Sequence, residues 1–278
     1  MVSFRNSQFQ AILTGLVIAD AVSQGQMPWG RSAAAVSQAI GPDSSQWPGS
    51  IESDRWCHHI MNQLQSCCSE PPQPCTSKLA RSDEPPRPES PGNVASLLAT
   101  LPMQLLQLDQ LHHPHNTSPP SSFSLSDDAL GMFDQSLIAA LNQDVPALTA
   151  LIHTVTDTEL SPLTQTLLHS WQNVLAVRGN FDVAVGQSLY APSPLVGLPV
   201  LTGVLSAAWG GENSFPIAQR QLLETPNLSL RGWLSQRWQL TDAADLRKWT
   251  QALWQQWSGS AVTQEVSPAV ITVPPMLA

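Results

Sequence analysis

The sequence is poor in charge. Lys and Arg number 12 and Asp and Glu 21 in 278 residues, so charged residues make up 12% and the formal net charge is −9, against roughly 25% charged residues in ordinary globular chains. The few basic residues form no run, which argues against a nucleic-acid partner, because phosphate binding draws its affinity from clustered Lys and Arg. An anionic membrane surface is disfavoured for the same reason. No window approaches the ~20 consecutive apolar residues of a membrane-spanning helix. The four cysteines, Cys57, Cys67, Cys68 and Cys75, are too few for a disulfide framework in a chain this long and are expected as reduced thiols in the cytoplasm. With His58 and His59 they make an imaginable zinc cluster, but the paired C-x2-C spacing of structural sites is missing. His112, His113 and His115 lie among prolines and serines and read as a solvated loop. Also absent are a G-x-S-x-G elbow, a P-loop, a G-x-G-x-x-G turn and an H-E-x-x-H helix. His153 and His169 read as packed or surface histidines rather than bases.

What remains is a helical pattern interrupted by polar loops. Phe9, Ile12, Leu13, Leu16 and Val17 recur at helical spacing, which predicts one buried stripe. Gly15 and Ala19 lie four apart beside it, where small side chains let another backbone approach. Arg5 ahead of the apolar run Ala11 to Ile18, and Ala19-Asp20-Ala21 after it, imitate a secretory signal. The single basic residue and the short apolar stretch favour the cytoplasmic reading. Further helices are expected over 31–40, over 50–68 with Ile51, Trp56, Ile60 and Leu64 facing the core, and over 97–111.

Residues 69–93 carry seven prolines and, like 112–126, read as mobile Pro/Ser-rich insertions. From Asp127 the helices follow closely. Ser161-Pro162 opens one that Arg178-Gly179 stops, and Asn180 caps the next. Leu198 to Trp209 is expected buried nearly all round. The last helix is expected from a Thr241 cap to Gly259. No alternating strand pairs or hairpin signals occur. The fold class is therefore all-α, one helical domain over 1–258 with a tail at 259–278.

Two segments carry a further signal: Gln10 to Ser23, and Gly179-Asn-Phe-Asp-Val-Ala-Val-Gly186 followed by Gly203-Val-Leu-Ser-Ala-Ala-Trp-Gly210 and Phe215-Pro216. In this order they resemble the ADP-ribosylglycohydrolase family. Its first helix reads G-x-x-x-G-D-A-x-G, on which Gly15, Asp20 and Ala21 fall in register while Ala19 and Ser23 are small replacements. Phe181, Ala184, Val185, Gly203, Leu205, Ala207, Gly210 and Pro216 fall on its late pattern.

The resemblance implies an orthogonal helical bundle with a binuclear magnesium site that cleaves ADP-ribosyl linkages. It also implies two acidic ligand stretches. The second would fall on Pro194, Val196 and Gly197, none of which ligates magnesium through a side chain, and no Asp or Glu occurs between Ser188 and Gly211. The first is matched approximately by Glu52, Ser53 and Asp54. With Asp20, the acids Glu52 and Asp54 are the candidate metal ligands; their plainer reading is as acids at a helix N-terminus, and that of Asp20 is as a hydrogen-bonding helix residue.

Three functions stay open. The chain is an ADP-ribosylglycohydrolase-like binding or interaction module that has lost its metal pair and catalytic activity, with ADP-ribose or a nucleotide as ligand and no cofactor. Alternatively it is a divergent hydrolase that needs magnesium. Or it is an unrelated helical interaction module. No protein partner is named by the sequence.

Overall fold

The computed structural model of the chain describes residues 6–27, 51, 53–69, 93–112, 129–155, 160–191 and 195–258. Among them every regular element is helical: α1 Asn6–Ser23, α2 Arg55–Ser69, α3 Val94–Ala99, α4 Leu101–His112, α5 Ala129–Leu141, α6 Val145–Val155, α7 Pro162–Ala176, α8 Phe181–Leu189, α9 Leu198–Gly210, α10 Ile217–Glu224, α11 Leu228–Trp233 and α12 Ala243–Ser258. A 3-10 turn, Glu212–Ser214, follows α9, and a π turn, Leu234–Trp238, continues α11. No described helix is long and apolar enough to cross a membrane. The expected helix over 31–40, the expected tail 259–278 and nearly all of the expected insertions 69–93 and 112–126 lie outside the described residues.

The centre of the fold is α1 crossing α9. Both are apolar on almost every face, and α9 is buried from Leu198 through Trp209. An all-round apolar helix has to be enclosed, and α5, α7 and α8 close around α9 while α12 packs on α1 and α2 packs in turn on α12. The crossing is set by glycine. A methyl group on Gly15 would run into the Ala207 Cβ and lie 3.1 Å from the Gly203 carbonyl oxygen; one on Gly203 would run into the Ala19 Cβ and lie 3.3 Å from the Gly15 carbonyl oxygen. Glycine inside a helix costs ~1 kcal/mol of propensity, and here the contact of two backbones offsets it.

The helix boundaries follow local chemistry. Ser161 Oγ accepts from the Thr164 amide at 3.1 Å ahead of Pro162, and Asn180 Oδ1 accepts from the Val183 amide at 3.3 Å. Gly179 ends α7 in the left-handed region, at φ +70°. The expected helix over 97–111 is two helices broken at Thr100, whose amide bonds back to Leu97 and so ends α3. The cap of the last helix lies one residue later than expected, and the helix begins at Ala243. Asp242 Oδ1, not Thr241, accepts the first free amides, from Ala244 at 2.7 Å and Asp245 at 3.3 Å. The Thr241 amide instead donates to Asp245 Oδ2 at 2.8 Å.

Candidate functional site

Asp20 lies near the C-terminal end of α1, in a helix whose neighbours are Leu, Val, Ile and Ala, and it is completely buried. A carboxylate in that position needs donors on both oxygens, and the far end of the chain supplies them. Arg237 Nε donates to Asp20 Oδ2 at 2.7 Å and Nη2 donates to Oδ1 at 3.0 Å, the two-pronged geometry that makes Arg–carboxylate pairs strong. Trp238 Nε1 adds a third bond, to Oδ2, at 2.9 Å. Among the described residues, the polar groups that meet these oxygens are donors, which suits the ionised form. Full burial nevertheless pushes the Asp20 carboxyl above the ordinary carboxylate range, against the pull of Arg237 and Trp238.

The π turn makes this reach possible. Its Leu234 carbonyl accepts from the Gln239 amide, one residue further on than in an α-helix, and Gln239 then leaves the helix at φ +54°. Adjacent residues Arg237 and Trp238 thereby address one carboxylate. Wide turns of this kind are often found at functional sites. The turn is tied to α2 by His58 Nε2 donating to the Gln236 carbonyl at 3.2 Å and by Gln65 Nε2 donating to Gln239 Oε1 at 3.3 Å.

A second carboxylate completes the cluster. Arg237 Nη1 donates to Asp54 Oδ1 just ahead of α2, and Nη2 donates to the Ile51 carbonyl at 2.7 Å. That carbonyl also accepts from Gln24 Nε2 at 2.9 Å, which straps residue 51 to the end of α1. Two indoles wall the guanidinium: Arg237 Cζ lies 5.8 Å from the Trp56 ring centroid and 6.0 Å from that of Trp233. Trp56 stands edge-on to Trp238 at 5.2 Å. Burial opposes the charge of Arg237, but its bonds to Asp20 outweigh this and hold its pKa above the ordinary arginine value.

The expected ligands therefore separate. Asp20 and Asp54 are brought together, whereas Glu52 lies outside the described residues. Both oxygens of Asp20, and one of Asp54, already take hydrogen bonds from Arg237. Magnesium demands near-octahedral oxygens at 2.0–2.1 Å, and this donor set, filled by a guanidinium, does not fit it. Among the described residues no group of three or more His, Cys, Asp and Glu is placed to hold a metal ion. Of the second expected ligand stretch, Gly197 precedes α9 at φ +80° with Val94 and Ile51 where a side chain would start, and Val196 is an exposed apolar residue, so neither offers a ligand. Pro194 lies outside the described residues.

The other chemistry-bearing residues stand apart. Cys57 points into the core with its Sγ 4.0 Å from Asp20 Oδ2, and burial, reinforced by Asp20, pushes its thiol pKa up, away from the reactive thiolate. His59 faces outward on the same helix, His58 is half-buried and engaged with the Gln236 carbonyl, and His153 and His169 are exposed on α6 and α7. Sequence reading did not single out Arg237, Trp238 or Trp233. The available signal was an arginine amid Trp233, Leu234, Trp238 and Leu240 with no acid at i±3 or i±4, a cation that has to find its counter-ion elsewhere in the fold. No protein-family model, curated protein or solved structure matches this chain.

Proposed function

We propose that the chain is a non-hydrolytic binding or interaction module with an ADP-ribosylglycohydrolase-like bundle, in which Arg237 stands where the resemblance would place a metal. The observation that carries this reading is one guanidinium bonded to both Asp20 and Asp54. A permanent internal cation satisfies those carboxylates without a soluble ion, and an arginine positions no water and offers no exchangeable coordination sites. What a metal pair contributes to hydrolysis is the positioning of water and the stabilisation of departing charge, and neither passes to the guanidinium. Asp20, without solvent exposure and saturated by donors, touches no substrate unless Arg237 leaves. A magnesium hydrolase using Glu52, Asp54 and Asp20 gains no support from this geometry.

The test uses the unaltered protein. Incubated with magnesium and an ADP-ribosylated substrate it should release nothing above background, and magnesium should not raise its Tm. ADP-ribose, as the first ligand to try, should raise the Tm in the absence of metal by the mass-action amount expected of a folded-state ligand. Turnover that a chelator abolishes would overturn the proposal. Indifference to ADP-ribose and to other nucleotides would leave an interaction module without the family's ligand.

A further inference from the structure

We infer that the junction of α1, α2 and the π turn is a guanidinium receptor, filled in cis by Arg237, which binds a free guanidinium group when that side chain is removed. The inference rests on the reading that Arg237 stands in place of a metal, and it adds which class of cation the site selects.

The geometry carries the selectivity. Among the described residues, four oxygens from three residues face one planar cation: both oxygens of Asp20, one of Asp54 and the Ile51 carbonyl. They take hydrogen bonds from all three guanidinium nitrogens, so the receptor is written in directions in a plane rather than as an octahedron. Its remaining walls are the Trp56 and Trp233 rings, surfaces that stack on a weakly hydrated guanidinium and ligate no metal. Magnesium gives up its water reluctantly and would meet two indoles where it needs oxygens. An ammonium has three donors around a point and would leave part of the fork unmet. Parts of the receptor have anchors other than Arg237. Asp20 belongs to α1, Ile51 is held by Gln24, and Trp238 bonds to Asp20 on its own account.

The experiment is chemical rescue of Arg237→Ala. The variant should melt well below the unaltered protein, and about 20 mM guanidinium chloride should raise its Tm by roughly 3 °C, the saturable behaviour of a ligand that binds only the folded form. Equal concentrations of sodium or magnesium chloride should not. The unaltered protein should show no such rise, because its receptor is full. If the variant does not fold alone, it is refolded from urea with each salt. Recovery of folded protein only with guanidinium supports the inference, and recovery that is equal or nil in every salt overturns it.

A second variant fixes the place of binding. Asp20→Asn combined with Arg237→Met removes the charge that calls for a cation, and should not respond to guanidinium. A response equal to that of Arg237→Ala would put the binding elsewhere and sink the inference. Rescue by magnesium but not guanidinium would also overturn it, while the metal independence of the unaltered protein is judged separately by its own melting curve.

Discussion

Helix α1 makes its two most consequential contacts by opposite means. At its middle, Gly15 and Ala19 meet Gly203 and Ala207 with nothing but backbone and methyl groups. Near its C-terminal end, Asp20 meets Arg237 and Trp238 through a saturated ionic network. The first contact works by removing side chains so that dispersion can act over a short distance. The second brings a charge into the core and must then answer it completely. They differ in how they fail: the apolar crossing loses packing by degrees, whereas the ionic end leaves an uncompensated charge when either partner goes.

The sharpest way to break the comparison is Arg237→Ala. Removing one partner of a buried pair commonly costs 3–5 kcal/mol, and urea unfolding should show a loss of that order. The loss should depend on pH. Without the guanidinium, the burial that already raises the Asp20 pKa acts with less opposition. A carboxyl whose folded pKa lies above its unfolded value binds more protons when folded. Stability therefore falls as pH rises from the unfolded value, about 3.9, through the folded one. The deficit of the variant should be smallest in acid and full above the raised pKa. A deficit flat across pH would mean that Asp20 is not the group left unpaired.

Next in size is Gly203→Ala. The added methyl gains about 1 kcal/mol of helix propensity, yet it has to push apart two helices that have no flexible side chain to yield, and overpacking of that kind costs roughly 1–3 kcal/mol. A net loss is expected because Ala19 and the Gly15 carbonyl both stand in the way. Gly15→Ala should behave alike. The pair should be less than additive, since the first substitution opens the crossing for the second. If either substitution stabilised the protein, the crossing would be looser than its geometry.

How much of each contact was legible follows from its range. The crossing was written locally: Gly15 and Ala19 four apart, and Gly203 inside an apolar run without turn signals, specify close helices before any partner is known. The capping of α7 and α8 was written in the same way, in Ser161-Pro162, Gly179 and Asn180. The ionic end was only half legible. Asp20 was picked out by register and Asp54 by an approximate match, and the two do converge, but the group that unites them lies 217 residues from Asp20 in a segment that carries no motif. No periodicity encodes a pairing of that span. What the sequence did contain was a matched pair of anomalies, a lone acid in an apolar helix and a lone base among tryptophans, which only the fold brings together.

A smaller effect is expected at the cap of α8. Asn180→Ala removes the acceptor for the Val183 amide, and such caps contribute about 1 kcal/mol. The loss should appear in the denaturation midpoint with an unchanged slope, leaving both contacts of α1 intact.

The smallest effect sharpens the comparison most, because it divides the ionic end itself. Asp54 takes a bond from the same guanidinium as Asp20, but its side chain is 39% exposed where that of Asp20 is 0%. Water already solvates part of Asp54, so its pairing with Arg237 replaces less than the pairing of Asp20 does, and exposed ion pairs contribute about 0–1 kcal/mol. Asp54→Asn keeps an oxygen able to accept from Nη1 and should cost no more than that. Salt supplies the contrast. Raising ionic strength to about 0.5 M shortens the screening length to a few ångströms and should erase most of the difference between Asp54→Asn and the unaltered protein. The Arg237→Ala deficit, seated where salt does not reach, should persist. If Asp54→Asn costs as much as Arg237→Ala, the two carboxylates act as equals, and Asp54 is a structural partner of the core rather than the solvent-facing edge of the guanidinium site.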